Sequence, residues 1–326
     1  MTETATDQSS ASTIDVHRPI VVVGALRSGT TMFGLMLAGH ADIAFVGEFE
    51  ESVRFINDGR LPDPADFAER LRNDRMSQDR GTEPPPTDLG VIGMIHELSR
   101  RYAASERGSR VGFTIHSKPD MVPLVWPDAR VIQLMRDPRD VARSCIRMGW
   151  VGNAYRGCEA WLDTEPRCAR LIEALPHENS TTVRYEDLVA RPEEELRRVC
   201  EFLGLPWDPA ILDYPSRSTY GPVDEKLSYQ WKRKADPREI ELVESRCAEP
   251  MKKYGYELST PAKAPGPIRR AALNLDNRLR VLDFNRRRFG LGLLLARAAT
   301  RRLPLPAATR RRVTDRWHEV QRAHYK

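Results

Sequence analysis

The stretch VVVGALRSGTTM, residues 21–32, joins an apolar run to a glycine-containing loop and then to residues that can continue as a helix. The β-branched residues 20–23 suit a buried parallel strand, and residues 30–37 can form a helix that ends near Gly39. Such a unit directs main-chain N–H groups and the positive end of a helix dipole at one place, which favours a bound oxyanion. We therefore predict an anion-binding loop, with an ordinary tight turn as the alternative.

The loop differs from the Walker-type nucleotide loop at one position. That motif reads G-x-x-x-x-G-K-[ST], in which the lysine reaches the β- and γ-phosphates and the hydroxyl holds Mg²⁺. Gly24 and Gly29 have the required spacing, but Thr30 stands at the lysine position. The loop instead offers one cation and three hydroxyl groups, a set that needs no metal: Arg27, Ser28, Thr30 and Thr31.

Composition excludes several classes of protein. The chain has 326 residues, of which 40% are hydrophobic and 30% charged, so it can bury a substantial core. No apolar run reaches the ~18 residues of a membrane span, and the start MTETATDQSSASTIDVH lacks the pattern of a signal peptide, so we expect a cytoplasmic protein. The five cysteines show no zinc-type spacing, and we expect them to be reduced and packed, without a metal site.

Charge is distributed unevenly along the chain. Residues 267–326 contain 16 Lys and Arg against 4 Asp and Glu, which leaves 35 against 42 in the remainder. The stretch STPAKAPGP, residues 259–267, is typical of a linker. We predict a disordered start at residues 1–17, a main domain at residues 18–258, and a linker with a basic helical extension at residues 259–326.

Two later segments repeat the strand-to-helix pattern. ARVIQLMRDPRDVARSCIRMGW contains an apolar strand at residues 131–135, followed by Asp137 as a helix N-cap and Pro138 at the first helical position. TTVRYEDLVARPEEELRRVCEFLG has a strand, then Pro192 at a helix start and Gly204 as the helix stop. Alternating strands and helices predict an α/β fold with a parallel sheet flanked by helices.

Three motifs, taken in order, resemble the sulfotransferases that use 3′-phosphoadenosine 5′-phosphosulfate (PAPS). GALRSGTTM is similar to their 5′-phosphosulfate loop, VIQLMRDPRDVARS to their 3′-phosphate motif, and VRYEDLVARPEEELRRVCEFLGL to the segment that closes the nucleotide pocket. The resemblance implies a P-loop-type fold, a bacterial type of enzyme, and transfer of a sulfuryl group from PAPS to a hydroxyl or amine of a small-molecule, carbohydrate or lipid acceptor, leaving PAP. PAPS has no β,γ-phosphate chain, which accounts for the absent lysine.

The resemblance also implies roles for individual donor-binding residues. Arg27 is expected near the bridging oxygen that gains charge as PAP leaves. Arg136 and Ser144 are expected to hold the ribose 3′-phosphate by charge-assisted hydrogen bonds, although an ion pair of Arg136 with a neighbouring aspartate is the alternative. Tyr185 is expected against the nucleotide. The full implied set is Arg27, Ser28, Gly29, Thr30, Thr31, Arg136, Ser144 and Tyr185.

Two residues compete for the role of the catalytic base. Glu48 in DIAFVGEFEE resembles the Gly-Glu that several bacterial and Golgi-type members place at the end of the second strand. His116 in FTIHSKPDMVP resembles the Lys-Thr-His of cytosolic members, with Thr-Ile-His in its place. Either side chain can accept a proton near an acceptor hydroxyl. Lys118 can bridge to the sulfuryl oxygens, or it is an exposed loop charge.

The acceptor cleft is expected between residues 49–110 and residues 145–175. In the second of these regions, Trp150, Tyr155 and Trp161 can form an apolar or sugar-stacking wall, or they belong to the core. The sequence does not identify the acceptor.

Other interpretations remain open at this point. A P-loop kinase or NTPase would require Mg²⁺, and an inactive family member would bind PAP without turnover. As a further alternative, the chain is a non-enzymatic protein that binds a membrane or nucleic-acid surface through its basic extension, although nucleic acid is not the expected partner. The stretch FGLGLLLARAA of this extension, residues 289–299, is too short to span a bilayer but can lie at an anionic surface between arginines. Packing on the main domain or in a homodimer is the alternative.

Overall fold

The computed structural model describes residues 14–324 and contains a five-stranded parallel sheet. Along the sheet the strands lie in the order β2, β3, β1, β4, β5, and each neighbouring pair is parallel. The predicted parallel α/β fold is therefore confirmed. The strands are β1 (Asp15–Val23), β2 (Ile43–Glu48), β3 (Arg110–Ile115), β4 (Arg130–Met135) and β5 (Ser180–Arg184).

Helices connect the strands and continue after the last strand. As far as β5 they are α1 (Thr30–Leu37), α2 (Glu51–Arg54), α3 (Pro64–Asn73), α4 (Arg75–Asp79), α5 (Gly90–Ala103), α6 (Val122–Val125), α7 (Pro138–Arg147), α8 (Ala154–Gly157) and α9 (Glu159–Ala174). After β5 they are α10 (Tyr185–Ala190), α11 (Pro192–Leu203), α12 (Trp231–Lys234), α13 (Pro237–Lys253), α14 (Pro267–Arg302) and α15 (Ala307–His324). Short 3₁₀ turns lie at Thr87–Leu89, Pro119–Met121, His177–Asn179, Pro209–Leu212, Tyr214–Arg217 and Glu225–Leu227.

Apolar layers cover both faces of the sheet. Val21 and Val23 belong to one buried cluster, whereas Ile20 and Val22 belong to another, because alternate residues of a strand point to opposite faces. The first cluster includes side chains of α3 and α5, and the second includes side chains of α1 and α11. Burial on both faces explains why β1 reads as a continuous apolar run rather than an alternating pattern.

The carboxyl ends of the strands meet at one edge of the sheet. The strand β1 lies between β3 and β4, and Val23 pairs with Ile115 on one side and with Gln133 on the other. The loop that follows β1 thus begins beside the residue that follows β3. The sheet order reverses at this point, and in open α/β sheets ligands bind at such a switch point.

Two compact units divide the described residues. The first, residues 14–137 and 160–230, contains the whole sheet; the second consists of residues 138–159 and 231–324. The domain boundary expected at residue 258 stays a prediction. At the other end, Asp15–His17 belong to β1 rather than to a disordered start, and residues 1–13 lie outside the described residues.

In the second unit, the predicted linker begins with residues that are tied to a buried carboxylate. The Glu244 side chain is fully buried and accepts a hydrogen bond from Arg139 Nη1 at 2.7 Å. It also accepts hydrogen bonds from the main-chain N–H groups of Ser259 and Thr260 at 3.0 and 2.8 Å. The start of the C-terminal extension is therefore an integral part of this unit.

The first half of α14 packs closely on the segment between α7 and α8. The main-chain N–H of Gly152 donates to Asn277 Oδ1 at 2.7 Å, and Asn153 Nδ2 donates to Asp276 Oδ2 at 2.9 Å. A Cβ on Gly149 would lie 2.1 Å from the ring of Phe284. This close approach explains why glycine occupies position 149.

Candidate active site

The loop between β1 and α1, residues 24–29, is called the glycine loop below. Gly29 has φ of 96°, in the left-handed region, and a Cβ at this position would lie 2.5 Å from Tyr185 Cε2. Glycine is therefore required both by the backbone conformation and by the closeness of the Tyr185 ring. The helix α1 begins at the next residue, Thr30, so its free N–H groups lie at the end of the loop.

Ser28 supplies an unusual polar atom to this loop. Its side chain is fully buried, and Oγ has no hydrogen-bond partner among residues 14–324. A buried hydroxyl without a partner costs ~1–3 kcal/mol, so a ligand oxygen at the glycine loop would stabilise this side chain. An anionic oxygen at the glycine loop would satisfy it.

His116 lies directly after β3, beside the glycine loop, and is 6% exposed. Its Nδ1 is 2.8 Å from the carbonyl oxygen of Gly24. Because a carbonyl oxygen only accepts hydrogen bonds, Nδ1 carries the hydrogen, and the neutral imidazole has its lone pair on Nε2. The Nε2 atom lies 3.5 Å from Thr30 Oγ1.

The second base candidate is on the same side of the imidazole. Glu48 Oε1 lies 3.7 Å from His116 Nε2, and the Glu48 side chain is 45% exposed. Burial acts to lower the pKa of His116, but contact with Glu48, the charge of Glu50 and the Gly24 carbonyl outweigh it and raise the pKa above 6.5. Contact with His116 in turn lowers the pKa of Glu48. The two candidates are thus partners rather than separate alternatives.

Glu50 anchors the main chain at His116 and was not identified from the sequence. Its carboxylate is 8% exposed and accepts hydrogen bonds from the main-chain N–H groups of His116 and Ser117 and from the Ser117 hydroxyl. The residues are 66 and 67 positions apart, so no local pattern could indicate this contact. Glu50 therefore fixes the main chain just after β3, from which the imidazole of His116 extends.

Arg136 follows β4 and lies against both the glycine loop and Tyr185. Its Nη1 donates to the carbonyl of Arg27 at 3.1 Å, and its Nη2 donates to the carbonyl of Leu227 at 3.3 Å. The guanidinium carbon lies 4.1 Å from the centroid of the Tyr185 ring, a cation–π distance. Arg136, Tyr185 and Gly29 therefore lie next to one another.

A buried carboxyl group holds the turn after Arg136. Glu186 Oε1 accepts a hydrogen bond from the main-chain N–H of Asp137 at 2.9 Å. Burial is the main cause that raises the pKa of Glu186 to about 7. This residue lies next to the predicted Tyr185, but no sequence motif marks it as a site residue.

Lys118 requires a correction. Its Nζ donates to the carbonyls of Arg54 and Ile56 and to Asn57 Oδ1, the first and third at 3.0 and 2.9 Å. These three bonds use the three hydrogens of the ammonium group. Lys118 therefore fastens the turn after α2, and it is not available to the sulfuryl oxygens as expected.

The remaining predicted residues lie in different places. Thr30 is buried and Thr31 is exposed at the start of α1. Ser144 is buried on α7, in the second unit, and its role stays a prediction. Of the aromatic residues expected at the acceptor, Trp161 is fully buried and donates from Nε1 to the carbonyl of Arg136, so it belongs to the core, whereas Trp150 is 37% exposed.

The fold and the site together define an α/β protein with an acid–base pair beside a glycine loop at the switch point of a parallel sheet. The model of the Sulfotransferase family matches residues 19–209. This match covers more than half of the chain, so the chain belongs to the sulfotransferase family, and the predicted resemblance is confirmed.

Individual relatives show the same similarity. Protein-tyrosine sulfotransferase A of Caenorhabditis elegans is 27% identical over 205 residues, which are 60% of this chain and 52% of that protein. Carbohydrate sulfotransferase 3 of Homo sapiens is 26% identical over 171 residues, covering 42% of this chain and 35% of that protein. This chain thus spans about half of the first relative and about a third of the second. The solved sulfotransferase domain from the curacin biosynthetic pathway is 20% identical, with a TM-score of 0.49, over 74% of this chain and 98% of that domain.

Proposed function

We propose that this protein is a sulfotransferase that uses PAPS and that His116 is its catalytic base. PAPS supplies the sulfuryl group, which passes to an acceptor oxygen and leaves PAP. The observation that carries the proposal is the His116–Glu48 pair at 3.7 Å, beside a glycine loop that lacks the Walker lysine. Family membership supports the same reaction.

The donor site is proposed at the glycine loop, which we interpret as a P-loop-type anion site. The partnerless hydroxyl of Ser28 and the N-terminus of α1 suit a phosphate or sulfuryl oxygen. Gly29 leaves the space into which Tyr185 packs, and Tyr185 in turn supports the Arg136 guanidinium. These contacts support the proposal that Arg136 binds the 3′-phosphate, as the resemblance implies.

His116 is suited to take the proton of an acceptor hydroxyl. The hydrogen bond from Nδ1 to Gly24 directs the lone pair of Nε2 toward Thr30 and Glu48. When Nε2 gains a proton, the nearby carboxylate of Glu48 stabilises the imidazolium. Glu48 therefore tunes the base, and its partial exposure leaves it within reach of an approaching acceptor.

We propose that the acceptor of this chain carries a hydroxyl group. The names of the relatives mention tyrosine and carbohydrate, so a phenol or a sugar hydroxyl is the first choice. Incubation with PAPS labelled in its sulfuryl group and an extract of the native host tests the proposal. We expect label in an acceptor with the wild-type protein and ~10²-fold less with His116→Asn. Equal labelling by both proteins would contradict the assignment of the base.

We further propose that this protein is of bacterial type and cytoplasmic. Its C-terminal helices would contact the inner face of the membrane. None of the helices in residues 14–324 is long and apolar enough to cross a bilayer. The side chains of Leu291, Leu295 and Leu303 are 58%, 62% and 55% exposed in a strongly basic segment. Exposed leucines among arginines suit an anionic lipid surface.

Cosedimentation with phosphatidylglycerol-containing vesicles at low salt tests the membrane contact. We expect binding by the wild-type protein, loss of binding in Leu291→Ser/Leu295→Ser, and retention in the control Leu275→Ser. If the protein stays in the supernatant and forms a leucine-dependent dimer in sedimentation equilibrium, the leucines serve a homodimer instead.

A further inference from the structure

Helix α9 carries three buried polar side chains on one face. Trp161, Thr164 and Glu165 are 0%, 7% and 0% exposed. Their spacing of three and four residues places them side by side on a helix. We call these three residues the α9 polar face. Buried polar groups normally form hydrogen bonds, so their partners show which segments of the chain this face binds.

Two of the partners are main-chain atoms of proposed site residues. Trp161 Nε1 donates to the carbonyl oxygen of Arg136 at 3.0 Å. Thr164 Oγ1 donates to the carbonyl oxygen of His116 at 3.5 Å. Arg136 and His116 are the first residues after β4 and β3, respectively. One turn of α9 thus forms hydrogen bonds with the main chain just after β4 and just after β3. These are the positions of the proposed donor arginine and the proposed base.

The third residue, Glu165, lies near the glycine loop. Glu165 Oε2 accepts a hydrogen bond from Gln133 Nε2 at 2.6 Å, and Gln133 belongs to β4. Burial raises the pKa of Glu165 to about 7, while the main-chain amide of Ala25, in the glycine loop, acts in the opposite direction. The carboxyl group is therefore near the loop as well as bonded to the strand.

We propose that the α9 polar face positions the donor arginine, the base and the glycine loop relative to one another. Trp161, Thr164 and Glu165 act through other residues and are positioning residues. The inference rests on the proposed function, because the segments that α9 holds are the proposed donor and base segments. It adds that one helix sets their spacing, although the glycine loop lies more than 80 residues before His116 in the chain.

This arrangement predicts that donor binding and turnover can be separated by variants on one helix. Trp161→Phe removes the N–H donor next to Arg136 and keeps an aromatic ring. We expect it to weaken PAP affinity about fivefold, the factor for one ordinary hydrogen bond, with little change of kcat at saturating PAPS. Thr164→Val keeps the side-chain shape and removes the hydroxyl next to His116. We expect kcat to fall about fivefold with PAP affinity unchanged.

Calorimetry with PAP and steady-state kinetics provide this test, with Asp163→Asn as the matched control. Asp163 is exposed on the same helix, and its isosteric variant should equal the wild type in both readouts. If both α9 variants change affinity and kcat by the same factor, or change neither, α9 is only a core helix and the proposal is overturned.

Amide hydrogen exchange of the protein without ligand tests the positioning independently of catalysis. Trp161→Phe should raise exchange in peptides covering residues 130–137, and Thr164→Val in peptides covering residues 113–118. Exchange that rises uniformly, or not at all, contradicts the proposal even if the protein transfers no sulfate. Local rises in a protein that neither binds PAP nor transfers sulfate would instead contradict the proposed function and leave the positioning by α9 supported.

Discussion

At the level of single residues, the proposed chemistry depends on the contacts that hold His116. Gly24 fixes its tautomer, Glu50 fixes its main chain and Glu48 sets the charge beside Nε2. Only a neutral imidazole can accept a proton, so activity should rise with pH through the raised pKa of His116. The same carboxylate that stabilises the protonated imidazole therefore delays the onset of activity to higher pH.

The first prediction separates the base from its partner. Glu48→Gln removes the charge that raises the pKa of His116, so the rising limb of kcat against pH should move to lower pH. His116→Asn should reduce kcat ~10²-fold or more at every pH, with PAP affinity nearly unchanged. The pH profiles of the two variants and the wild type provide the measurement. A ~10²-fold loss of kcat in Glu48→Gln at every pH, together with an active His116→Asn, would show that Glu48 is the base.

The second prediction concerns stability and Glu165. The folded-state pKa of about 7 lies above the ordinary value of 4.5, so the folded protein holds this proton more tightly than the unfolded chain does. This contribution to stability is complete below pH 4.5 and is lost as the pH rises through 7. At about 1.4 kcal/mol per pH unit, the loss is at most about 3 kcal/mol.

Urea unfolding of the wild type and Glu165→Gln at pH 5 and pH 8 checks this. Glutamine does not titrate, so the variant should gain stability relative to the wild type between pH 5 and pH 8. Other groups titrate equally in both proteins and cancel from the difference. A difference that is the same at both pH values would mean that Glu165 has an ordinary pKa.

The sequence predicted these residues unequally. His116 and Glu48 could be predicted as candidate bases because each lies in a recognisable motif. Each also lies at or just after the end of a strand. Their separation of 3.7 Å could not be predicted, because it depends on the pairing of Glu48 with Thr114 between β2 and β3. Glu165 lies 32 positions from Gln133, its hydrogen-bond partner, and no pattern in the chain marks such a contact.

At the scale of elements, local signals predicted the helix boundaries well. The helix α1 occupies Thr30–Leu37 as expected, α7 begins at Pro138, and α11 runs from Pro192 to the residue before Gly204. Capping residues and C-terminal glycines act within one helical turn, so helix ends can be predicted from residues that are adjacent in the sequence. The fit of the glycine loop against Tyr185 is different, because it joins elements that are far apart in the chain.

The third prediction tests that fit. In Gly29→Ala the new Cβ would lie 2.5 Å from Tyr185 Cε2 with φ at 96°, so we expect loss of PAP binding and a destabilisation of about 2–4 kcal/mol from overpacking and backbone strain. The control Gly204→Ala has φ of 66°, and beyond the adjacent residues no atom of residues 14–324 lies within 4 Å of the added Cβ, so it should cost only about 1 kcal/mol.

The double variant Gly29→Ala/Tyr185→Ala shows whether the ring is the cause. Removal of the ring should reduce the cost of Gly29→Ala to the level of the control in urea unfolding. If the cost of Gly29→Ala is unchanged in the Tyr185→Ala background, contact with this ring does not determine the loop.

At the scale of the whole molecule, composition revealed a basic C-terminal region but not how it is built. The structure divides it into a first part that packs within the second unit through Asn277 and Phe284 and a later part with exposed leucines. Charge counting cannot distinguish these parts, since both are rich in arginine. The boundary expected at residue 258 rests on composition and stays a prediction.

The fourth prediction follows from this division. Truncation after Glu257 removes the Ser259 and Thr260 partners of the buried Glu244 and the α14 contacts with residues 149–153. We expect a clear fall in the thermal unfolding midpoint, by several degrees or more, or insoluble protein. Truncation after Arg288 keeps these contacts and should stay within a few degrees of the full chain. Equal midpoints for the two truncations would mean that the first half of α14 adds nothing to the stability of this unit.

The central claim is that the glycine loop, together with Arg136, binds a sulfotransferase donor nucleotide. Calorimetric titration of PAP into the full-length protein in the presence of EDTA tests it most directly. We predict saturable one-to-one binding without a divalent metal, weakened by roughly 2–4 kcal/mol in Arg27→Ala and in Arg136→Ala. Absence of PAP binding, or equal affinity in the wild type and both variants, would contradict the claim.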